Sequence, residues 1–223
     1  MDSIFKGDVN TAKGRMLAWV DSLLVDHAIL RLGHANFGTV IPGKLYRCNH
    51  PTPMRIRRLT RILGLTTLIN LRGVTGTGSY HLSHDAGLKA GLEVHDLSME
   101  SRGAPHRDRI LKLLEIYRAM PGPGLLHCKS GADRAGLAAG LCLLFEGRSA
   151  AEALGQLSLR FGHIKQARTG ILDAFFLRYQ REAEGRKPFL DWLEQDYDRD
   201  ALTRDFHANG LASFINDWVL AHE

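Results

Sequence analysis

Cysteine is scarce in this chain. Three in 223 residues, Cys48, Cys128 and Cys142, cannot form a disulfide framework. The core must therefore close by burial alone, and a reducing, cytoplasmic compartment is expected. Long apolar runs are also missing: Met16 to Leu32 comes closest to the ~20 residues a bilayer requires, but Asp21, Asp26 and His27 interrupt it. No basic-then-apolar start with a small-residue cleavage site is present, so no secretory leader is expected. Repeats and low-complexity tracts are absent, which excludes solenoids. No aromatic residues interleave with the early arginines, so no nucleic-acid partner is expected. Eleven histidines invite a metal reading. His81 and His84 lie near each other, but no cysteine or carboxylate spacing completes a site, and no metal is expected.

What is present suits one sizeable core: 44% apolar residues in a chain of this length. The net charge of +5 is uneven. Arg55, Arg57, Arg58 and Arg61 cluster early and read as a solvated helix face, while the stretch from Asp191 to Asp205 is acid-rich. Thr11 to Leu32 reads as an amphipathic helix with Met16, Val20, Leu23 and Leu24 on one side. Docking on the core is its plainer reading and contact with a membrane surface the sharper one. Leu45–Arg47 reads as a short strand. Thr52 caps a helix that starts at Pro53 and stops at Gly64, with Ile56, Leu59, Ile62 and Leu63 inward. Thr66–Leu71 and Leu92–Met99 read as strands, with a weak helix over 80–90 between them. Arg107–Met120 is a helix ended by Pro121-Gly122-Pro123-Gly124. Ser149 and Glu152 form a capping box. Ile171–Glu184 buries Leu172, Phe175, Phe176 and Tyr179. From Pro188 onward two or three short helices carry Phe189, Trp192, Leu193, Phe206, Phe214 and Trp218. The expected fold class is α/β: a short, mostly parallel sheet with helices on both faces, an N-terminal helix and a helical C-terminal extension. The expected division is 1–40, 41–185 and 186–223 within a single domain.

The most informative segment is His127-Cys128-Lys129-Ser130-Gly131-Ala132-Asp133-Arg134. Leu125-Leu126 precedes it, and Ala135, Leu137, Ala138, Leu141 and Leu144 follow with helical spacing. Strand, tight loop and helix N-terminus together make an anion site from backbone N–H groups. Such a site favours a thiolate at Cys128, and Arg134 can hold two phosphate oxygens through its planar fork. A nucleophile inside a phosphate cradle points to phosphate ester hydrolysis through a phosphocysteine. Gly38 to Leu45 imitates a nucleotide-binding loop, but Leu45 stands where Ser or Thr is needed. The glycine run Gly73–Gly78 lacks a following helix at dinucleotide spacing.

This segment resembles the His-Cys-x5-Arg signature of the cysteine-dependent tyrosine and dual-specificity phosphatases, on His127, Cys128, Gly131 and Arg134. Leu45-Tyr46-Arg47-Cys48-Asn49-His50-Pro51 and Leu68-Ile69-Asn70-Leu71-Arg72-Gly73 resemble the first half of small bacterial dual-specificity-like members. The likeness covers roughly residues 40–180. It implies Cys128 as nucleophile, Arg134 and the loop Lys129, Ser130, Gly131, Ala132 and Asp133 as phosphate binders, and no cofactor. It further implies a general acid on the segment after the strand Leu92–Met99. Asp96 has the matching separation from the cysteine and ranks first; Asp133, where myotubularin-type lipid phosphatases carry an aspartate, and Glu100 follow. Asp108 reads as helix-dipole compensation. Two residues depart from the pattern. Ala135 replaces a Ser or Thr whose hydroxyl speeds breakdown of the phosphoenzyme, and Asp133 puts a carboxylate inside an anion site. Lys129, matched in some lipid phosphatases, opens a second substrate class. Arg72 reads as a structural ion pair or a cation aimed at the site. Cys48 reads as an idle thiol or a redox partner of Cys128, and Cys142 as core.

The resemblance implies a phosphorylated protein as the substrate, phosphotyrosine first. A phosphorylated lipid or sugar is the alternative. A non-catalytic phosphate-binding module and a sulfurtransferase are the readings from other classes; the closing arginine opposes the last.

Overall fold

The computed structural model describes residues 5, 7–24 and 35–207. Five short strands, β1 (Gly38–Ile41), β2 (Leu45–Cys48), β3 (Thr67–Asn70), β4 (Glu93–Asp96) and β5 (Gly124–His127), form one sheet in the order β1-β2-β5-β3-β4. The β1–β2 pair is antiparallel; the other pairings are parallel. The parallel strands run in step, with Cys48 beside His127, His127 beside Asn70 and Asn70 beside Asp96. Four chain segments thus leave the sheet at one edge, where parallel sheets place their ligand sites.

Helices cover both faces, as expected for parallel strands that must be buried on each side. On one face lie α2 (Pro53–Leu63) and α3 (Gly78–Lys89), packed on Tyr46, Leu68, Leu92 and Leu125. On the other lie α4 (Arg107–Ala119) and α5 (Asp133–Phe145), packed on Leu45, Ile69 and Leu126. Around α5 are α6 (Ala150–Leu154), α7 (Ile171–Glu182), α8 (Phe189–Gln195) and a helical stretch over 199–207. Every residue of α5 from Ala135 to Leu144 is buried, so it is a central helix. The local signals act as read. Thr52 Oγ1 accepts from the Arg55 N–H, Pro53 opens α2, and Gly64 closes it at φ 63°. The Ser149–Glu152 capping box is formed.

Three local expectations change. First, α1 (Ala12–Leu24) buries Gly14, Ala18, Asp21 and Ser22, whereas Met16 and Leu24 are about 60% exposed. Small residues win because α1 approaches α3 backbone to backbone: a Cβ on Gly78 would lie 2.2 Å from the Ala18 carbonyl oxygen. Asp21 then accepts from the Gly78 N–H at 2.6 Å, giving α3 a partner for a helix-start donor. Second, Ile62 is exposed although its spacing matches Leu59. Third, β1 went unread; Gly38 to Leu45 is the β1–β2 hairpin, not a phosphate loop. Residues 25–34 of the expected N-terminal helix, and Phe214 and Trp218, lie outside the described residues.

Candidate active site

Every residue of β5 is buried, and it delivers Cys128, itself 3% exposed, to the sheet edge. The chain then turns back on itself through Gly131, whose φ of 78° suits glycine. Space gives a second reason: a Cβ there would meet the Asn49 nitrogen at 2.7 Å. That turn brings the Gly131 N–H to the Cys128 sulfur at 3.2 Å.

The loop's carbonyls face the protein. Those of Gly131 and Ala132 accept from Arg47 Nη2 at 2.6 and 3.0 Å, and that of Ser130 accepts from Asn36 Nδ2 at 2.9 Å. The Lys129 carbonyl accepts from the His50 N–H at 3.3 Å. With four successive carbonyls occupied in this way, the loop is set as a nest for an anion.

Arg47 is the principal support. It is fully buried on β2, stacks over the Phe161 ring at 3.9 Å, and its Nη1 reaches the Gln156 backbone and side-chain oxygens at 2.6 and 3.0 Å. Burial lowers its pKa to about 10, against the opposing charges of Cys128, Cys48 and Asp133. It therefore stays a cation at neutral pH, beneath the loop.

Asp133 does not face the cradle. Its Oδ1 lies 2.8 Å from His163 Nδ1, and His163 Nε2 lies 2.7 Å from Asp173 Oδ2 on α7. Burial disfavours charge on this imidazole, but the two carboxylate hydrogen bonds and their charges outweigh it and raise the pKa to about 9. An imidazolium thus ties the loop's acid to α7, the ion-paired alternative to a catalytic role.

Arg134 donates through Nε to the Met99 carbonyl at 2.9 Å. That contact joins the 128–134 loop to the 97–106 segment. Lys129 and Ser130 are exposed at the rim. Ala135 is fully buried in the first turn of α5.

The acids separate by sheet face. Val94 of β4 packs with Leu68 and Leu125 on the α2/α3 side, and Asp96, two residues on, shares it. Its oxygens accept from Asn70 Nδ2 at 2.7 Å and from the Tyr80 hydroxyl of α3 at 2.8 Å. Cys128, Leu97 and Met99 belong to the opposite side. Glu100 follows Met99, whose carbonyl holds Arg134. Its side chain is 9% exposed; Oε1 accepts from Arg109 at 2.6 Å, and Oε2 is buried without a partner among the described residues. Asp108 is exposed in the first turn of α4.

On the α2/α3 side, His127 is wholly buried with its ring edge-on to His50 at 4.9 Å, and neither ring nitrogen has a hydrogen-bond partner among the described residues. Burial, then the neighbouring His50 and Arg72 charges, keep it neutral. Arg72 Nη1 lies 3.4 Å from His50 Nδ1. Cys48 is fully buried, which pushes its thiol up to about 12, and Cys142 is buried within α5 with its thiol pushed up as well.

The structure thus assembles Cys128, Gly131 and Arg134 on one loop, and gives the Asp96 carboxylate partners in Asn70 and Tyr80 and the Asp133 carboxylate a partner in His163. Sequence reasoning missed His163, Asp173 and Asn36 as supports, and met Arg47 only as part of a resemblance. An arginine inside a four-residue strand buried throughout was the available signal.

No family model and no curated protein matches the chain. Solved structures do match by fold. Pseudomonas aeruginosa TpbA is 23% identical, over 76% of this chain and 92% of that one, with a TM-score of 0.53. A DUF442 protein of Shewanella putrefaciens CN-32 is 16% identical, over 69% and 95%, also at 0.53. PTPMT1 is 18% identical, over 65% and 96%, at 0.50. These likenesses are likenesses of fold.

Proposed function

We propose that this protein is a cysteine-dependent phosphatase that hydrolyses phosphomonoesters through a phosphocysteine intermediate. The observation that carries the reading is the Gly131 N–H directed at Cys128 Sγ within a loop whose carbonyls are bound from below. Cys128 sulfur attacks phosphorus in line with the ester oxygen; the S–P bond forms as the P–O bond breaks. Arg134 and the N–H groups of Lys129 to Arg134 hold the three equatorial oxygens, over which charge spreads in a loose transition state.

The leaving oxygen needs a proton from an acid on the nucleophile's side of the sheet. Spacing favoured Asp96. Its bonds to Asn70 and Tyr80 on the α3 side support a structural role, and the role of acid falls to Glu100. Its unpartnered Oε2 and its place beside the Met99–Arg134 contact support that choice. The same carboxylate then takes a proton from water, whose oxygen attacks phosphorus and releases phosphate and the Cys128 thiolate.

Phosphotyrosine proteins are the first substrate class. Phosphorylated lipids or sugars are the second reading, favoured by Lys129 standing exposed on the loop beside the cradle. Hydrolysis of para-nitrophenyl phosphate by the wild type beside Cys128→Ser, with reductant and chelator present, tests the class. Activity confined to the wild type supports it. Equal activity in both rejects Cys128 as nucleophile. Phosphotyrosyl peptides against phosphoinositides and inositol phosphates then separate the substrate readings.

A further inference from the structure

We propose that Tyr197 and Arg199, where the C-terminal extension turns from α8 into the helix over 199–207, are positioning residues that hold the 97–106 loop over the phosphate loop. The proposal rests on the phosphatase reading, in which that loop carries the acid.

The loop has no regular structure of its own. Its first residues are tied by the Met99 N–H to the Leu71 carbonyl at 3.2 Å and by the Met99 carbonyl to Arg134. Its far end is held from the extension. The Tyr197 hydroxyl donates to the Pro105 carbonyl at 2.8 Å, Arg199 Nε donates to the Ala104 carbonyl at 3.1 Å, and Arg107 Nη2 donates to the Tyr197 carbonyl at 2.9 Å. His106, the residue before α4, makes no side-chain cap; the helix start holds the loop only at Glu100, through Arg109.

Tyr197 is suited to the task. It is 4% exposed, with its ring edge-on to Phe175 at 5.1 Å and against Trp192 at 5.3 Å. A side chain locked in an aromatic cluster loses little further freedom when its hydroxyl makes a bond. A cleft of about 570 Å³ opens beside these bonds, between the start of α4 and residues 197–200. Only Ala104 and Pro105 are buried along the loop's second half, so these bonds and that short apolar contact carry the attachment. Glu100 is tied by Arg109 of α4 and sits next to the end that Arg134 holds, and residues 101–103 span the gap to the end held from the extension.

Loss of the brace should therefore act on proton delivery and not on phosphate capture. Tyr197→Phe keeps the ring and deletes only the hydroxyl; Arg199→Leu removes the second bond. Rates are read on two aryl phosphates, one with a poor and one with a good leaving group, together with vanadate affinity. Each variant should lower kcat on the poor leaving group about tenfold, while the good one and vanadate change less than about twofold. In a Glu100→Gln background neither should cause further loss. An equal fall on both esters, weakened vanadate binding or an additive effect on Glu100→Gln would overturn the proposal. If Glu100→Gln shows no leaving-group dependence but Tyr197→Phe does, the brace stands and the acid lies elsewhere on the loop. If neither does, both fail. Hydrolysis that persists in Cys128→Ser rejects the phosphatase mechanism itself.

Discussion

Two loops meet at the active edge, and they are held by different means. The phosphate loop, residues 128–134, rests on charge: Arg47 binds its carbonyls from below and the His163 imidazolium holds Asp133 at its side. The 97–106 loop is held by cations nearer the surface, Arg134 and Arg109 at one end and Arg199 at the other, together with the Tyr197 hydroxyl. A loop that must meet a dianion without rearranging gains from fixed buried cations. On the proposed reading the second loop carries the acid and needs only to be held in place, and side chains far along the chain suffice. The difference is also one of legibility: a dense motif marks the first loop, and none marks the second.

The largest effect should come from removing the deepest support. Arg47→Met leaves the Gly131 and Gln156 carbonyls without their donor and the Ala132 carbonyl with only the Gly136 N–H, and should cost about 3–5 kcal/mol of stability, as breaking a buried charged network does. An unfolding free energy from urea melts lowered by less than about 1 kcal/mol would mean the 128–134 loop holds itself, and the contrast between the loops would collapse.

Next is the acid. Glu100→Gln should slow hydrolysis of esters with poor leaving groups about 10²-fold and spare good ones. Asp96→Asn should lack that selectivity. The opposite pattern in a leaving-group series would return the role to the end of β4.

A smaller effect is expected from pH. His163 has its pKa raised from 6.5 to about 9 in the fold. A raised pKa means the folded state holds the proton more tightly, so this contribution to stability is full below about pH 6.5 and is lost as pH rises through about 9. Thermal melts of the wild type should fall across that window, and His163→Gln should flatten the difference. Parallel curves would show that the Asp133–His163–Asp173 chain is not what clamps the loop.

The smallest effect concerns the second chemical step. Ala135 puts a methyl group where the resembled family has a hydroxyl, so Ala135→Ser should speed breakdown of the phosphoenzyme about two- to fivefold. Single-turnover decay unchanged by the substitution would remove Ala135 as a brake.

The two loops also explain how much could be read in advance. Cys128, Gly131 and Arg134 lie within seven residues, between a strand and a helix that periodicity reveals, so their meeting is local geometry. The caps at Thr52 and Ser149 were readable for the same reason. Asp96 was preferred because its distance in sequence fits. In the structure its carboxylate bonds to Asn70 and to Tyr80 of α3, and that depends on which face of β4 is buried against which helix. The exposed stripe of α1 failed similarly: helical spacing shows that a face exists, but the close approach at Gly78 made the small-residue face the one that packs.

By itself, then, the sequence determined the α/β class and the strand-loop-helix that brings Cys128, Gly131 and Arg134 together, because these follow from contacts between near neighbours. The tertiary structure alone decided what holds that loop, that Asp96 bonds to Tyr80 and Glu100 to Arg109, and that residues 197–199 reach residues 104–107. Those are choices of long-range packing, made by the whole core at once, and no short stretch of residues encodes them.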